Sequence, residues 1–331
     1  MKLYFAPMEG ITGLVCRNAY EACFSGTIDK YFAPFITATT TKEMSTKELR
    51  DILPEKNEGI PLVPQILANQ PESFIRTAQR ITSLGYREIN LNLGCPSRTV
   101  VTKKKGAGFL EFPHKLDAFL QEICEWTEKE DVKFSVKTRL GMQDEDEFWE
   151  LLEIYNRHPL HELIVHLRTQ DDYYVKPVRE TMFPEIIEKS KHSLCYNGDL
   201  FDEKRIKKFA DAYPQQDRVM IGRGLLMHPG MCVGEVQHDW NKEAMISGQS
   251  DVDAFGVARD NLWNFHDAVY EGYRNYIQGE KNVLFKMKEL WAYMKVNFDE
   301  DETVVKKSLK QIRKSQSCAD YEMAVRQLRS M

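Results

Sequence analysis

Asn92 and Cys95 place an amide and a thiol at the end of the stretch Glu88 to Arg98, EINLNLGCPSR. Ile89, Leu91 and Leu93 alternate with Asn90 and Asn92 as they would along a strand, and the strand stops at Gly94, Cys95 and Pro96. A thiol so placed either serves chemistry at the rim of a sheet or is a small hydrophobe buried in a βα turn. Other chemically capable residues recur where short apolar runs end. These are Ala6 to Gly10, Gln65, Lys137 with Arg139, His166 with Arg168, Asn197 to Asp199, and Gly222 to Gly224. Lys137 lies in KFSVKTR, with Val136 before it. It could form a Schiff base as a desolvated amine, or as a retained cation it could stabilise a ligand that becomes negative, such as a reduced flavin. Cys95 and Gln65 suit the second use better than an aldolase. The turns Asn197-Gly198-Asp199 and Gly222-Arg223-Gly224 bring backbone amides and a guanidinium to a place where phosphate is commonly held, although glycines also serve turn geometry alone. His166 and Arg168 could add charge there, and a single polar strand end remains weak on its own.

What positions these residues is a repeating pattern. Eight apolar runs rich in β-formers stand at Lys2 to Met8, Lys30 to Ile36, Pro61 to Leu67, Glu88 to Gly94, Lys133 to Arg139, Glu162 to Arg168, Ser193 to Asp199 and Arg218 to Gly224. Between most of them the spacing predicts helices, at Leu14 to Phe24, Pro71 to Leu84, Pro113 to Lys129, Glu145 to Arg157, Val178 to Lys191 and Phe201 to Ala212. The polar interval Thr37 to Gly59 has room for one short helix. Eight strand–helix alternations predict an α/β fold, a (β/α)8 TIM barrel, with a doubly wound sheet as the competitor; no GxGxxG follows the first run. Met231 to Gln249 reads as a linker. Amphipathic helices are expected beyond it, at about Val252 to Glu271, Val283 to Val296, Asp301 to Ser315 and Ala319 to Arg329. The expected domains are a barrel over 1–240 and a small all-α bundle over 250–331.

The 331 residues are 42% hydrophobic and 29% charged, which leaves no excess for disorder or for a membrane-embedded chain. No apolar run reaches the length of a membrane span and the start lacks a signal pattern, so a cytoplasmic protein without a membrane partner is expected. The seven cysteines form no CxxC pair and no Cys/His spacing suited to zinc, so no metal is expected. A net charge of −5 argues against a surface covered in nucleic-acid contacts, yet a local basic stripe is compatible with it. Two candidates are Lys103, Lys104 and Lys105, on the loop after Cys95, and Lys306, Lys307, Lys310, Arg313 and Lys314 on one predicted helix face.

The segments APMEGIT (Ala6 to Thr12), VPQI (Val63 to Ile66), NLNLGCPS (Asn90 to Ser97), KKGAG (Lys104 to Gly108), VKTRLG (Val136 to Gly141), VHLRT (Val165 to Thr169), YNGDL (Tyr196 to Leu200) and IGRGLL (Ile221 to Leu226) together resemble the tRNA dihydrouridine synthase family, in its bacterial branch with the APMEG start. The resemblance covers roughly the first 230 residues, and the tail matches that family's tRNA-recruiting helical domain in position and size. It implies an FMN-binding barrel whose flavin is reduced by NADPH. Pro7, Met8 and Glu9 would line the flavin edge, Gln65 and Lys137 would bond the ring, and Asn197, Gly198, Asp199, Gly222, Arg223 and Gly224 would hold the phosphate, to which His166 would add charge. A uridine flipped out of tRNA would take a hydride at C6 and a proton at C5 from Cys95, oriented by Asn92 and Arg139, while Lys103 to Lys105 would meet the RNA. A thiol's ordinary pKa, about 8.5, leaves it protonated for that role at neutral pH. The sixth run departs from the pattern, with VHLRTQDDYYVKP where relatives carry a YxG-type turn, so no fine substrate contacts are assigned there. The alternatives are an FMN barrel acting on a free pyrimidine, of the dihydroorotate dehydrogenase type, and a noncatalytic tRNA-binding protein. No protein partner is indicated, and a monomer is expected.

Overall fold

A computed structural model describes residues 1–40, 43–232 and 251–331. The described residues group into two compact units. The first comprises Met1–Pro7, Asp29–Asp199 and Ala212–Ile221, and the second Met8–Ile28, Leu200–Asp211 and Gly222–Met331. All but the first two residues of the expected linker lie outside the described residues.

The first unit is built on ten strands among the described residues: β1 (Lys2–Phe5), β2 (Lys30–Phe32), β3 (Ile36–Thr37), β4 (Leu62–Val63), β5 (Gln65–Leu67), β6 (Glu88–Leu93), β7 (Lys133–Arg139), β8 (Glu162–His166), β9 (Leu194–Asn197) and β10 (Arg218–Ile221). Every pairing is parallel, in the order β3-β5-β6-β7-β8-β9-β10-β1-β2-β4. The ten strands are the eight apolar runs, because the second and third runs are each interrupted. Pro64 has no N–H to give a ladder and separates β4 from β5, and Ala33 to Phe35 separate β2 from β3. Tyr31 pairs with Leu62 and Ile36 with Ile66, so these two runs close the cylinder on each other. This is the expected (β/α)8 barrel.

Along each strand, alternate side chains face opposite ways. Ile89, Leu91, Leu93, Phe134, Val136, Leu163 and Val165 form the outward set and are buried. Tyr4, Ala6, Phe32, Val63, Ile164, Cys195 and Met220 pack together as an inner cluster. The helices start where local chemistry allows. In α2 (Thr46–Ile52) Ser45 and Glu48 form a reciprocal capping box, and α3 (Pro71–Ser83) and α5 (Pro113–Lys129) each open on a proline. The short α4 (Arg98–Val101) follows Cys95, and α6 (Glu147–Tyr155) lies between β7 and β8. The helix expected from Val178 begins only at α7 (Phe183–Lys189), because Arg179 is drawn into ion pairs with Asp172 and Glu145.

The second unit is helical: α1 (Leu14–Cys23), α8 (Glu203–Ala212), α9 (Arg223–Met227), α10 (Asp251–Tyr276), α11 (Glu280–Met294), α12 (Thr303–Lys314) and α13 (Cys318–Arg329). The residue division places α1 here. Tyr20 and Phe24 stack edge-on at 4.9 Å, and Tyr20 meets Phe265 at 5.7 Å. A Cβ at Gly272 would lie 2.7 Å from Val15, so glycine permits this close approach. At the bundle core Tyr321 receives a hydrogen bond from Trp291 Nε1 at 2.8 Å and pairs with His266 Nε2 at 2.6 Å. No helix of the described residues is long and apolar enough to cross a membrane.

Candidate active site

Strands β5 to β9 bring together residues widely separated in sequence. Asn92 Oδ1 accepts from the backbone N–H groups of Gly94 at 3.1 Å and Cys95 at 2.9 Å, and so fixes the turn that presents the thiol. The amide of Asn92 donates to Gln65 Oε1 at 2.7 Å. Gln65 donates in turn to Asn90 Oδ1 at 2.7 Å, and Asn90 to Ser135 Oγ at 2.9 Å. These four side chains are buried, and their register explains the chain, since Gln65 pairs with Asn90 and Asn90 with Ser135 across neighbouring strands. A connected set of satisfied amides in a low-dielectric interior is rigid. Cys95, half-buried, is thereby tied to a stiff polar layer.

A second support comes from the KKGAG segment. Ala107 N donates to the Cys95 carbonyl at 3.1 Å. Gly106 adopts φ +55°, and a Cβ there would lie 2.9 Å from the same carbonyl and 3.1 Å from the Cys95 Cβ. A side chain at Gly106 would therefore displace the thiol's turn.

Two cations stand beside this turn. Lys137 is half-buried, and its ammonium donates to Asn197 Oδ1 at 2.8 Å. Burial, reinforced by the Arg139 charge, lowers its pKa to about 7. Arg139 is fully buried. Its Nε donates to the Gly94 carbonyl at 2.9 Å and its Nη1 to the Thr169 carbonyl at 2.7 Å, while Nη2 has no hydrogen-bond partner among the described residues. Neither cation has a carboxylate within ion-pair distance among the described residues. An open buried guanidinium nitrogen costs free energy unless a ligand oxygen meets it.

His166 and Arg168 are arranged differently from the expectation that they add charge. Arg168 Nη1 donates to His166 Nε2 at 3.1 Å and to Asp199 Oδ1 at 2.9 Å, and Nε donates to the Lys176 carbonyl at 2.6 Å. Arg168 is thus neutralised by Asp199. Asn197, besides accepting from Lys137, donates to the Met220 carbonyl at 2.8 Å. Gly198 is needed because a Cβ there would collide with the Tyr196 ring.

In the second unit, Met8 N donates to Thr12 Oγ1 at 2.7 Å, which shapes the turn that carries Glu9, and Gly10 follows at φ +81°. Gly222 caps α9, and the Arg223 guanidinium lies 4.9 Å over the Phe201 ring. Lys306, Lys307, Lys310, Arg313 and Lys314 are all exposed on α12, opposite the buried Val305, Ser308 and Ile312. On the loop after Cys95, Lys103 and Lys104 are exposed, whereas Lys105 donates to the Ala38 carbonyl at 2.7 Å and burial lowers its pKa.

Sequence reasoning missed Asn90, Ser135 and Gly106 as supports of Cys95. A signal existed for Asn90, which shares the strand face of Asn92. Nothing local marks Ser135, whose role depends on the strand opposite.

The family model described as Dihydrouridine synthase (Dus) matches residues 4–319. A Staphylococcus aureus (strain Mu50) protein named as a probable tRNA-dihydrouridine synthase is 29% identical over 255 residues, 72% of this chain and 73% of its own length. A Bacillus subtilis protein named as probable tRNA-dihydrouridine synthase 2 is 29% identical over 252 residues, 72% of this chain and 74% of its own. Another from Staphylococcus aureus, strain MRSA252, is 30% identical over 68% of each chain.

Proposed function

Since the chain belongs to the dihydrouridine synthase family, we propose that it reduces uridines in tRNA to 5,6-dihydrouridine, with FMN as resident cofactor and NADPH as electron donor. The observation that carries this reading is the pair of cations beside Cys95: Lys137, opposed by burial, and Arg139, with Nη2 unmet. Two such groups, with no carboxylate within ion-pair distance among the described residues, suit a ligand rich in carbonyl oxygens that gains negative charge. When bound, the reduced flavin supplies the hydride for C6 of the uracil.

The chain's own residues do the rest. Cys95 gives its proton to C5, so that hydride and proton together saturate the C5–C6 bond, and the thiolate regains a proton from solvent. Asn92 fixes the Cys95 turn through its Oδ1, and its remaining amide hydrogen is available to a base. Arg139 Nη2 donates to a uracil carbonyl. Asn197 aims the Lys137 ammonium, which balances the cofactor's charge. Gln65 retains one donor and one acceptor site for the ring beyond its bonds to Asn90 and Asn92. Pro7, Met8 and Glu9 keep the ring edge in this reading, and His166 with the turns Asn197 to Asp199 and Gly222 to Gly224 the phosphate. The uridine must leave its stack to be reached. Lys103, Lys104 and the basic face of α12 suit the RNA backbone.

The test is to incubate the purified protein and NADPH with tRNA from cells lacking its gene, and to map dihydrouridine before and after. A yellow protein that adds dihydrouridine at defined positions is expected. A colourless protein that leaves the tRNA unchanged removes the reading.

A further inference from the structure

The loop after β8 exposes three apolar side chains in succession: Tyr173 at 43%, Tyr174 at 51% and Val175 at 90%. Single exposed apolar residues need no explanation, but a contiguous group marks a surface that meets a partner. This loop is also anchored firmly. Buried Asp172 accepts from Thr169 N at 2.8 Å, and pairs with Lys176 Nζ at 3.2 Å and with Arg179. Tyr173 N bonds the Gln170 carbonyl and Val175 N the Asp172 carbonyl, while Gln170 Nε2 reaches the Pro96 carbonyl beside Cys95 at 3.3 Å. Tyr173 takes φ +48°, a conformation that a bulky residue rarely adopts. The fold therefore holds the aromatic pair out in one fixed arrangement.

Tyr174 is directed at the site. Its ring centroid lies 5.2 Å from the Arg139 guanidinium carbon and 5.8 Å from the His166 ring, tilted by 33° to the latter. Its inner side thus rests on Arg139, which its hydroxyl also engages, and about half of the side chain remains exposed.

We propose that Tyr174 is a stacking platform for the base of a nucleotide flanking the reduced uridine in the tRNA strand. This rests on the reading of the site as a tRNA uridine reductase. The uracil itself is claimed by Arg139, Asn92 and Cys95 beneath, so the exposed part of the ring faces the strand where it leaves the pocket. A π-face accepts any base, so the contact holds the strand without reading its sequence.

Steady-state kinetics on the FMN-loaded protein test this. By the usual worth of one base–aromatic stack, Tyr174→Ala should raise KM for tRNA about 5- to 160-fold. The rate of flavin reduction by NADPH should not change, and Tyr174→Phe should stay within about twofold of the parent. A tRNA with an abasic nucleotide beside the target should lose affinity for the parent protein, yet lose little more when Tyr174→Ala is also present. Unchanged KM in Tyr174→Ala overturns the proposal. So does equal damage in Tyr174→Phe, which would place the role in the hydroxyl. A parent protein that forms no dihydrouridine defeats the underlying reading instead, whereas an active parent with an indifferent Tyr174→Ala defeats only the stack.

Discussion

Both ends of the barrel bury charge, and they treat it in opposite ways. At the amino ends of the strands Glu162 is 1% exposed and is surrounded by opposite charge, although its Oε2 and Arg218 Nε make no hydrogen bond among the described residues. Tyr4 donates to it at 2.9 Å, Arg218 lies at 3.5 Å and Lys30 at 3.8 Å, and Lys30 also pairs with Glu88 at 2.7 Å. At the carboxyl ends, Lys137 is answered by an amide and Arg139 by two carbonyls with one nitrogen left over. Breaking a network of opposite charges costs stability alone. Two buried cations with no carboxylate within ion-pair distance among the described residues are instead a standing penalty that a ligand would relieve, which supports placing the proposed chemistry at the carboxyl end.

The sharpest contrast comes from Cys95→Ala. Dihydrouridine formation should fall by at least about 100-fold, the lower range for losing a general acid, while flavin absorbance and melting temperature stay at parental values. Retained turnover would take Cys95 out of the mechanism. Next in size, Glu162→Leu at the other end leaves Arg218 and the Tyr4 hydroxyl without their buried partner. It should cost roughly 3 kcal/mol in urea unfolding, with turnover per folded molecule unchanged. A variant of full stability and lost activity would erase the distinction between the two ends.

A further contrast is the pH dependence of the apo-protein. Lys137 has a pKa of about 7 in the folded chain against an ordinary 10.5. Between these values the unfolded chain binds the extra proton, so stability rises with pH across that window. Below the lower value the penalty for charging Lys137 is present in full. Urea midpoints measured from pH 7 to pH 10 should show this rise in the parent and a flatter course in Lys137→Met. Identical slopes would mean that burial does not oppose the charge.

Much of the fold is legible locally. Pro71 and Pro113 mark helix starts, and the eight apolar runs mark the eight staves of the barrel. The division of the second and third runs into shorter strands was less visible, although Pro64 is its signal. The late start of α7 was not legible, because Arg179 is held by Asp172 and Glu145 through loop geometry. At the site, Asn92, Cys95, Lys137 and Arg139 stand out by type and position. Asn197 stands in the expected phosphate turn, and its side chain meets Lys137 and the Met220 carbonyl, contacts that no local pattern announces.

Alternation along a strand is a property of neighbouring residues, so the sequence alone determined that Asn90, Asn92, Lys137 and Arg139 share inward faces and that Cys95 follows at a rim. Which side chain lies opposite which depends on register between strands that are 25 to 60 residues apart, as in the Gln65–Asn90 and Lys137–Asn197 bonds. No local pattern encodes that register. Only the closed barrel decided that the amides would join into one layer beneath Cys95, that Arg139 would keep a nitrogen unmet, and that Tyr174 would rest against it.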